Sequence, residues 1–115
     1  MKRSSRLTRS NDIKRVRGEG YSFTHKMVVL GLQENQLREN RVAVIAGRSV
    51  GGAVQRNFAK RRLRFAYQHF QSVLQSGYDI VLIARKPLLD EDYKGLLETL
   101  KTLFSQAGIM KDKAC

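Results

Sequence analysis

The pattern of apolar and polar positions predicts two long helices in the second half of the chain. The first apolar series has spacings of three and four residues, which place its members on one helical face. It begins at Ala59, and the predicted helix ends at about Gln75, before Ser76 and Gly77. Its members are Ala59, Leu63, Ala66, Tyr67, Phe70, Val73 and Leu74.

The second apolar series predicts a C-terminal helix. A carboxylate at Asp90 or Asp92 can accept hydrogen bonds from its first turn, and Gly108 is expected to end it. Beyond that glycine, residues of about 109–115 are expected to form a frayed tail. The members of the series are Tyr93, Leu96, Leu97, Leu100, Leu103 and Phe104.

Three segments are predicted to be extended. Tyr21–Leu32 is rich in aromatic and β-branched residues, and the polar Gln33–Asn40 is expected to be a hairpin loop leading to a return strand at Arg41–Gly47. Tyr78–Ala84 is almost continuously apolar after its first two residues, which is typical of a strand buried on both faces.

A short helix is predicted near the start of the chain. A polar residue among 10–12 can cap it, and it is expected to run to about Arg17, with glycines following. Ile13 and Val16 lie three residues apart and would pin one side of it. Its basic side is expected to face nucleic acid. With the extended segment Tyr21–Leu32 counted as two strands, the expected order of elements is α-β-β-β-α-β-α, in a single domain of residues 1–115.

The chain is organised around the segment that follows Gly51-Gly52. Five of the nine residues from Arg56 to Arg64 are basic, and no acid lies between Glu39 and Asp79. In the first turns of the predicted helix, Arg56 and Lys60 fall at or beside the buried stripe. Three apolar residues fall on the opposite side: Val54, Phe58 and Phe65. We expect these turns to project past the core and to pack against something else.

Composition and charge indicate a folded protein that binds a polyanion. The 115 residues are 42% hydrophobic and 28% charged, and the formal net charge is +12. Residues 1–64 hold sixteen Lys and Arg against four Asp and Glu, whereas residues 65–115 hold six of each. One part of the surface is thus expected to carry the whole excess of positive charge.

The residues argue against several classes of protein. The single cysteine, Cys115, forms no internal disulfide or metal cluster and fits a reducing cytoplasm. His25 and His69 have no matching carboxylate or nucleophile nearby in the sequence, which argues against a catalytic site made of protein residues. Asp90–Asp92 is better explained by helix capping than by a metal site. No apolar run is long enough for a signal peptide or a membrane span.

Among nucleic acids, the sequence favours RNA. It lacks the patterns of helix-turn-helix proteins, zinc fingers, RNA-recognition motifs and KH domains. A strand, two glycines and a basic helix beside a sheet would let the helix lie on phosphates while the sheet accepts an unpaired strand.

The segment Ala53–Arg64 reads A-V-Q-R-N-F-A-K-R-R-L-R. It resembles the signature of the bacterial ribonuclease P protein component, whose core reads roughly A-V-x-R-N-R-x-K-R-x-x-R. Three further parts of the chain resemble that family, and together they cover nearly its whole length. They are Arg6-Leu7 with Asp12-Ile13 and Val16, Arg41-Val42 with Ala46-Gly47-Arg48, and Asp79 to Arg85.

Five positions depart from the family pattern, two of them being Gly47 and Arg48, which stand in place of Ser-Lys. Phe58 replaces the second arginine of the R-N-R triplet and is expected to pack rather than to bind. Ile13 replaces a phenylalanine, and Arg17 replaces an aromatic residue.

The resemblance implies an α/β fold of the α+β sandwich type, with a central mixed sheet and the basic helix in a left-handed crossover between parallel strands. It implies the protein subunit of ribonuclease P, the cytoplasmic ribonucleoprotein endonuclease that removes the 5′ leader of precursor tRNA. Catalysis is then expected from the RNA subunit with Mg²⁺, and the protein would supply no catalytic residue and bind no cofactor or metal. Its expected partners are the catalytic RNA and precursor tRNA, with no membrane or protein partner.

The resemblance also implies which residues touch each RNA. Contacts to the catalytic RNA are expected from Arg48, Arg56, Asn57, Lys60, Arg61, Arg62 and Arg64. Contacts to the leader are expected from Arg6, Arg9, Ile13, Lys14, Arg17, Met27, Val29 and Gly31. Two alternatives stay open: a general structured-RNA-binding module of the ribosomal or RNA-chaperone type, and a nuclease that needs no RNA subunit.

Overall fold

The computed structural model describes residues 6–7 and 10–111. Its elements follow the predicted order α-β-β-β-α-β-α, with two 3-10 turns at Gln71–Val73 and Lys86–Asp90. The helices and strands are α1 (Ser10–Glu19), β1 (Tyr21–Thr24), β2 (Val28–Glu34), β3 (Arg41–Ala46), α2 (Ala53–Phe70), β4 (Tyr78–Ala84) and α3 (Tyr93–Ala107).

The four strands form one mixed sheet in the order β1-β2-β4-β3. β1, β2 and β4 are antiparallel neighbours, whereas β3 runs parallel to β4 and connects to it through α2. The hairpin predicted at Gln33–Asn40 is therefore wrong, because β4 lies between β2 and β3. The sequence of β4 predicts a strand buried on both faces, and β4 occupies an interior position in the sheet. The handedness of the crossover stays a prediction.

Each face of the sheet has its own core. Alternate residues of the strands, such as Leu30 and Leu82, point to the face covered by α2 and α3 and are fully buried there. The other residues, such as Ala43 and Val81, point to the face covered by α1. Because side chains alternate along a strand, a shift of one residue decides which helix a strand residue meets.

α1 runs two residues beyond the predicted end at Arg17. Val16 is its buried residue, and the chain then turns directly over β2. At Gly20 an added Cβ would lie 2.4 Å from the carbonyl oxygen of Leu32, so a larger residue would push the chain away from the strand. This close approach fixes the end of α1 against the sheet.

The last residues of the described chain are not frayed. α2 ends at Phe70, five residues before the predicted end, and the chain continues in an extended bridge between Leu74 and Met110. Ile109 is 1% exposed, and its carbonyl accepts a hydrogen bond from the amide of Gln75. The expected frayed tail of 109–115 is thus wrong for residues 109–111, while residues 112–115 lie outside the described ranges.

α3 begins and ends as the sequence predicts. The Asp92 carboxylate accepts a hydrogen bond from the Gly95 amide at 2.7 Å, and Gly108 takes a left-handed conformation with φ of 74°. Within residues 6–7 and 10–111, no helix has the length and apolar character needed to span a bilayer.

Candidate RNA interface

A buried carboxylate ties α1 to the two parallel strands. Asp79, the second residue of β4, has no exposed surface, and Arg41 of β3 donates to both of its oxygens at 2.8 and 2.7 Å. Arg15 of α1 donates to it at 3.0 Å, and so does the side-chain amide of Asn35. Asp12 lies beside the two arginines and adds a second carboxylate. One flank of α1 is thus fixed to the sheet by ionic hydrogen bonds.

The charge of Asp79 is stabilised by this surrounding. Burial by itself would raise the pKa of the carboxyl group. The hydrogen bonds from Arg41 and Asn35, together with the charges of Arg41 and Arg15, outweigh burial and lower its pKa below the ordinary value. The same hydrogen bond raises the pKa of Arg41. Both groups stay ionised, so the connection persists at neutral pH.

The way α1 is fixed leaves part of its sheet face uncovered. A helix turns by 100° per residue, so Ile13 and Arg17 lie on the flank of α1 opposite Asp12 and Arg15. Beside that flank three strand side chains on the α1 face are only half-buried: Val29, Ile45 and Ile83. We call the space bounded by Ile13, Arg17 and these three residues the cleft.

The structure corrects two residues predicted to line the cleft. Met27 is 3% exposed and packs in the core of the opposite face. It lies in the bend before β2, which begins at Val28, so the alternation that puts Val29 on the α1 face does not extend to it. Gly31 is on the α1 face but is covered, since its Cβ position lies 3.4 Å from the Val16 side chain. Val29, half-buried on the cleft floor, is the predicted strand residue that remains available.

The other predicted leader residues occupy different places. Lys14 is exposed on the side of α1 that faces away from the sheet. Arg6 is exposed at the outer edge of β3, where it forms a bridge with Val42. Arg9 lies outside the described residues.

The basic start of α2 lies at the edge where β3 and β4 end. Arg48 is exposed in the turn after β3, and Gly52 immediately precedes the helix. The periodicity holds: Arg56 and Lys60, placed beside the buried stripe, are half-buried. Ala59 and Leu63 are fully buried and anchor these turns. Three further predicted contacts are exposed: Asn57, Arg61 and Arg64.

Arg62 differs from its neighbours because its side chain is already engaged. It is half-buried, and it donates to the Glu91 carbonyl at 2.7 Å. Its guanidinium carbon also lies 5.0 Å from the centre of the Phe58 ring. Phe58 therefore packs against Arg62, and 36% of it is exposed.

Two cations at the same edge were missed in the sequence. The amide of Arg85 donates to the Met27 carbonyl, and its guanidinium donates to the His25 carbonyl at 3.2 Å. This places the exposed Arg85 and Lys26 side by side at the end of the sheet where α2 begins. The two residues are 59 positions apart in sequence, so the sequence does not indicate that they are neighbours. They become neighbours because the start of β2 pairs with the end of β4 in the antiparallel register. In the described residues, no group of three or more His, Cys, Asp or Glu could hold a metal ion.

Comparisons with known proteins show the family to which the chain belongs. The family model of ribonuclease P matches residues 1–108. A ribonuclease P protein component from Chloroflexus aurantiacus is 37% identical over 111 residues, covering 96% of this chain and 82% of that protein.

Solved structures give the same result. The ribonuclease P protein of Thermotoga maritima superposes with a TM-score of 0.79 at 30% identity, covering 88% of this chain and 98% of that one. The Staphylococcus aureus RNase P protein has a TM-score of 0.83 at 24% identity over 93% of this chain and 98% of its own, which shows a shared fold.

Proposed function

This chain belongs to the ribonuclease P family as a protein subunit of that enzyme, and we propose that it holds two RNAs on two separate surfaces. The start of α2 would bind the catalytic RNA, and the cleft beside α1 would bind the 5′ leader of precursor tRNA. The observation that carries this proposal is that α1 and α2 pack on opposite faces of one sheet. The two RNAs would then not compete for the same side chains.

The catalytic RNA would be held mainly through its phosphates. Arg61 and Arg64 are exposed on a helix whose buried residues hold it rigid, and Asn57 can both donate and accept hydrogen bonds. Arg48, Arg56 and Lys60 extend this surface toward the edge of the sheet. Arg62 would contribute less, since it is engaged by Glu91. Neutralised phosphates release counterions, so affinity should fall steeply with salt.

The leader would lie on the cleft as a single strand. The half-buried apolar floor can contact bases, and Arg17 stands on the flank of α1 that borders it. Arg85 and Lys26 supply charge near the open end of the floor, where β2 begins and β4 ends.

The hydrolysis itself is assigned to the RNA subunit. Mg²⁺ held by that RNA would activate water and stabilise the leaving oxygen. The protein would act by charge and position, since two polyanions repel each other and a carrier of +12 placed between them reduces that repulsion. We place this work in the cytoplasm, where a single cysteine stays reduced.

Reconstitution tests the proposal. The protein is mixed with a transcript of a bacterial ribonuclease P RNA, and release of the 5′ leader from precursor tRNA is followed at low Mg²⁺. We expect the protein to restore cleavage that the RNA alone performs poorly under these conditions. Absence of rescue despite RNA binding would favour a general structured-RNA-binding protein, and cleavage by the protein without RNA would favour a protein nuclease.

A further inference from the structure

The exposed side of α2 carries an apolar stripe that the proposed phosphate contacts do not use. Val54 is 80% exposed, Phe65 is 66% exposed and Phe58 is 36% exposed within the described part of the chain. Their spacing of four and seven residues puts them on one line along the helix. The same helix carries five cations. Exposed rings beside cations favour a ligand that has both an apolar surface and negative charge.

Two of these rings form the walls of a groove between α2 and α3. The Phe65 ring meets the Tyr93 ring edge to face, with centroids 5.7 Å apart, and the guanidinium of Arg62 covers the Phe58 ring. Together with Arg61 these residues line a groove of 280 Å³. We call it the aromatic groove.

The aromatic groove is already built before any ligand arrives. Arg62 is held by its hydrogen bond to the Glu91 carbonyl, and Tyr93 is the first residue of α3, directly after the Asp92 cap. Side chains that are fixed in advance lose little entropy when a ligand binds. Such a site suits a small rigid ligand.

Charge selects the class of that ligand. α2 has no acidic residue, and Arg61 and Arg64 lie on the flank of the groove that faces away from α3. A second copy of this chain would bring another cationic surface and be repelled. Glu91 and Asp92 border the α3 side, and the Asp92 carboxylate is engaged by Gly95. An anionic ligand would therefore place its charge beside Arg61 and its apolar part between the rings.

We propose that the aromatic groove binds one unpaired nucleobase of the catalytic RNA, stacked on Phe65, with the adjoining phosphate on Arg61. Every base has a π-face, so the rings would hold it whatever its sequence. The catalytic RNA is the source because the groove lies on α2, on the opposite side of the sheet from the cleft. This inference rests on the proposed function and adds a stacking site to its phosphate contacts.

The test compares variants at position 65 for binding to a transcript of a bacterial ribonuclease P RNA. We expect Phe65→Ala to weaken binding about fivefold to a hundredfold, the loss that corresponds to one stacked base. Phe65→Tyr keeps the π-face and should bind normally, whereas Phe65→Leu keeps an apolar side chain and should not. The matched control is Tyr21→Ala, which removes a 76% exposed ring from β1 and should leave this affinity unchanged.

The salt dependence separates stacking from charge. Phe65→Ala should leave the slope of affinity against salt unchanged, whereas Arg61→Gln should reduce it by about one phosphate contact. Unchanged affinity in Phe65→Ala, or retained affinity in Phe65→Leu, overturns the stacking site while the proposed function stands. Self-association of the free protein that Phe65→Ala abolishes would overturn it in favour of a second copy. If the unaltered protein fails to bind the transcript, both proposals fall.

Discussion

Arg41 and Asp79 lie opposite each other on neighbouring parallel strands. The guanidinium donates to both carboxylate oxygens, from Nε to Oδ1 at 2.8 Å and from Nη2 to Oδ2 at 2.7 Å. Arg15 of α1 reaches the same carboxylate. The pair therefore joins three elements that are distant in sequence, and the orientation of α1 over the cleft depends on it.

Replacing Asp79 by Asn should destabilise the protein. The substitution keeps the shape but leaves Arg41 and Arg15 facing a neutral group, and breaking a buried ion pair costs about 3 kcal/mol. Urea unfolding at pH 7 would measure this difference. Asp90→Asn is the control, because the residue is exposed and its loss should cost less than about 0.5 kcal/mol. Equal stability of the two variants would contradict the role of the pair.

The advantage of Asp79 over Asn should depend on acid pH. Its pKa is lowered in the folded protein, so the stability it contributes is fully present above the ordinary Asp value of about 3.9. That contribution is lost as pH falls through the lower, folded pKa. The free energy of unfolding of the unaltered protein and of Asp79→Asn would be measured across acid pH. The prediction is contradicted if the difference between them stays constant to the lowest accessible pH.

Tyr67 should make the protein less stable in alkali. Burial raises its pKa to about 12, against a smaller lowering by the nearby Asn40 side chain. A raised pKa means that this stability is fully present below pH 10 and is lost as pH rises from 10 to 12. The free energy of unfolding should therefore fall by about 2 kcal/mol less in Tyr67→Phe than in the unaltered protein when pH is raised from 9 to 12. Tyr21→Phe, at an exposed ring, should leave the profile unchanged.

The charges and the apolar residues of α2 should be separable by mutation. Reversing Arg61 and Arg64 to Glu should weaken binding of the catalytic RNA and flatten its salt dependence, with a cost of less than about 0.5 kcal/mol each in stability. Leu63→Ala should cost roughly 2–5 kcal/mol, because Leu63 is fully buried. Lys101→Glu makes the charge change of one such reversal on the exposed side of α3 and should affect RNA binding less than either reversal alone. Unfolding by the Arg61 and Arg64 reversals would instead make those residues structural.

Much of the fold followed from local patterns. Helical spacing located the buried residues of α2 and α3, and capping chemistry located Asp92 and Gly108. The half-burial of Arg56 and Lys60 was visible as a break in the apolar stripe. These features could be predicted because each depends on residues within a few turns of one another.

The remaining features depend on pairings between distant segments. The run from Met27 to Leu32 is apolar at almost every position, so no alternation shows that Met27 packs on the face opposite α1 or that α1 covers Gly31. Likewise, no residue near Arg15 in the sequence indicates that it pairs with Asp79, which lies 64 residues further along the chain. The packing of this run and the pairing of Arg15 both depend on how distant strands and α1 are arranged in space. The residues next to each position in the sequence do not indicate that arrangement.

The last prediction concerns the leader. Arg17 lies on the flank of α1 that borders the cleft, and Ile13 beside it is half-buried against the core of the α1 face. A cleft with these residues and no ring from α1 at either position should hold a strand more by charge than by stacking, which is worth about 1–3 kcal/mol per base where it occurs. Arg17→Ala should therefore weaken binding of precursor tRNA that carries a leader and hardly affect leaderless tRNA.

The measurement is the ratio of affinities for leader-bearing and leaderless tRNA in the reconstituted enzyme. Arg38→Ala is the matched control, since it removes an exposed cation from the loop between β2 and β3 and should not change the ratio. Ile13→Phe should be tolerated and should raise the ratio, because the added ring supplies a π-face at the cleft. If Arg17→Ala leaves the ratio unchanged, α1 has no part in the leader site, and its ionic contacts with Asp79 serve packing alone.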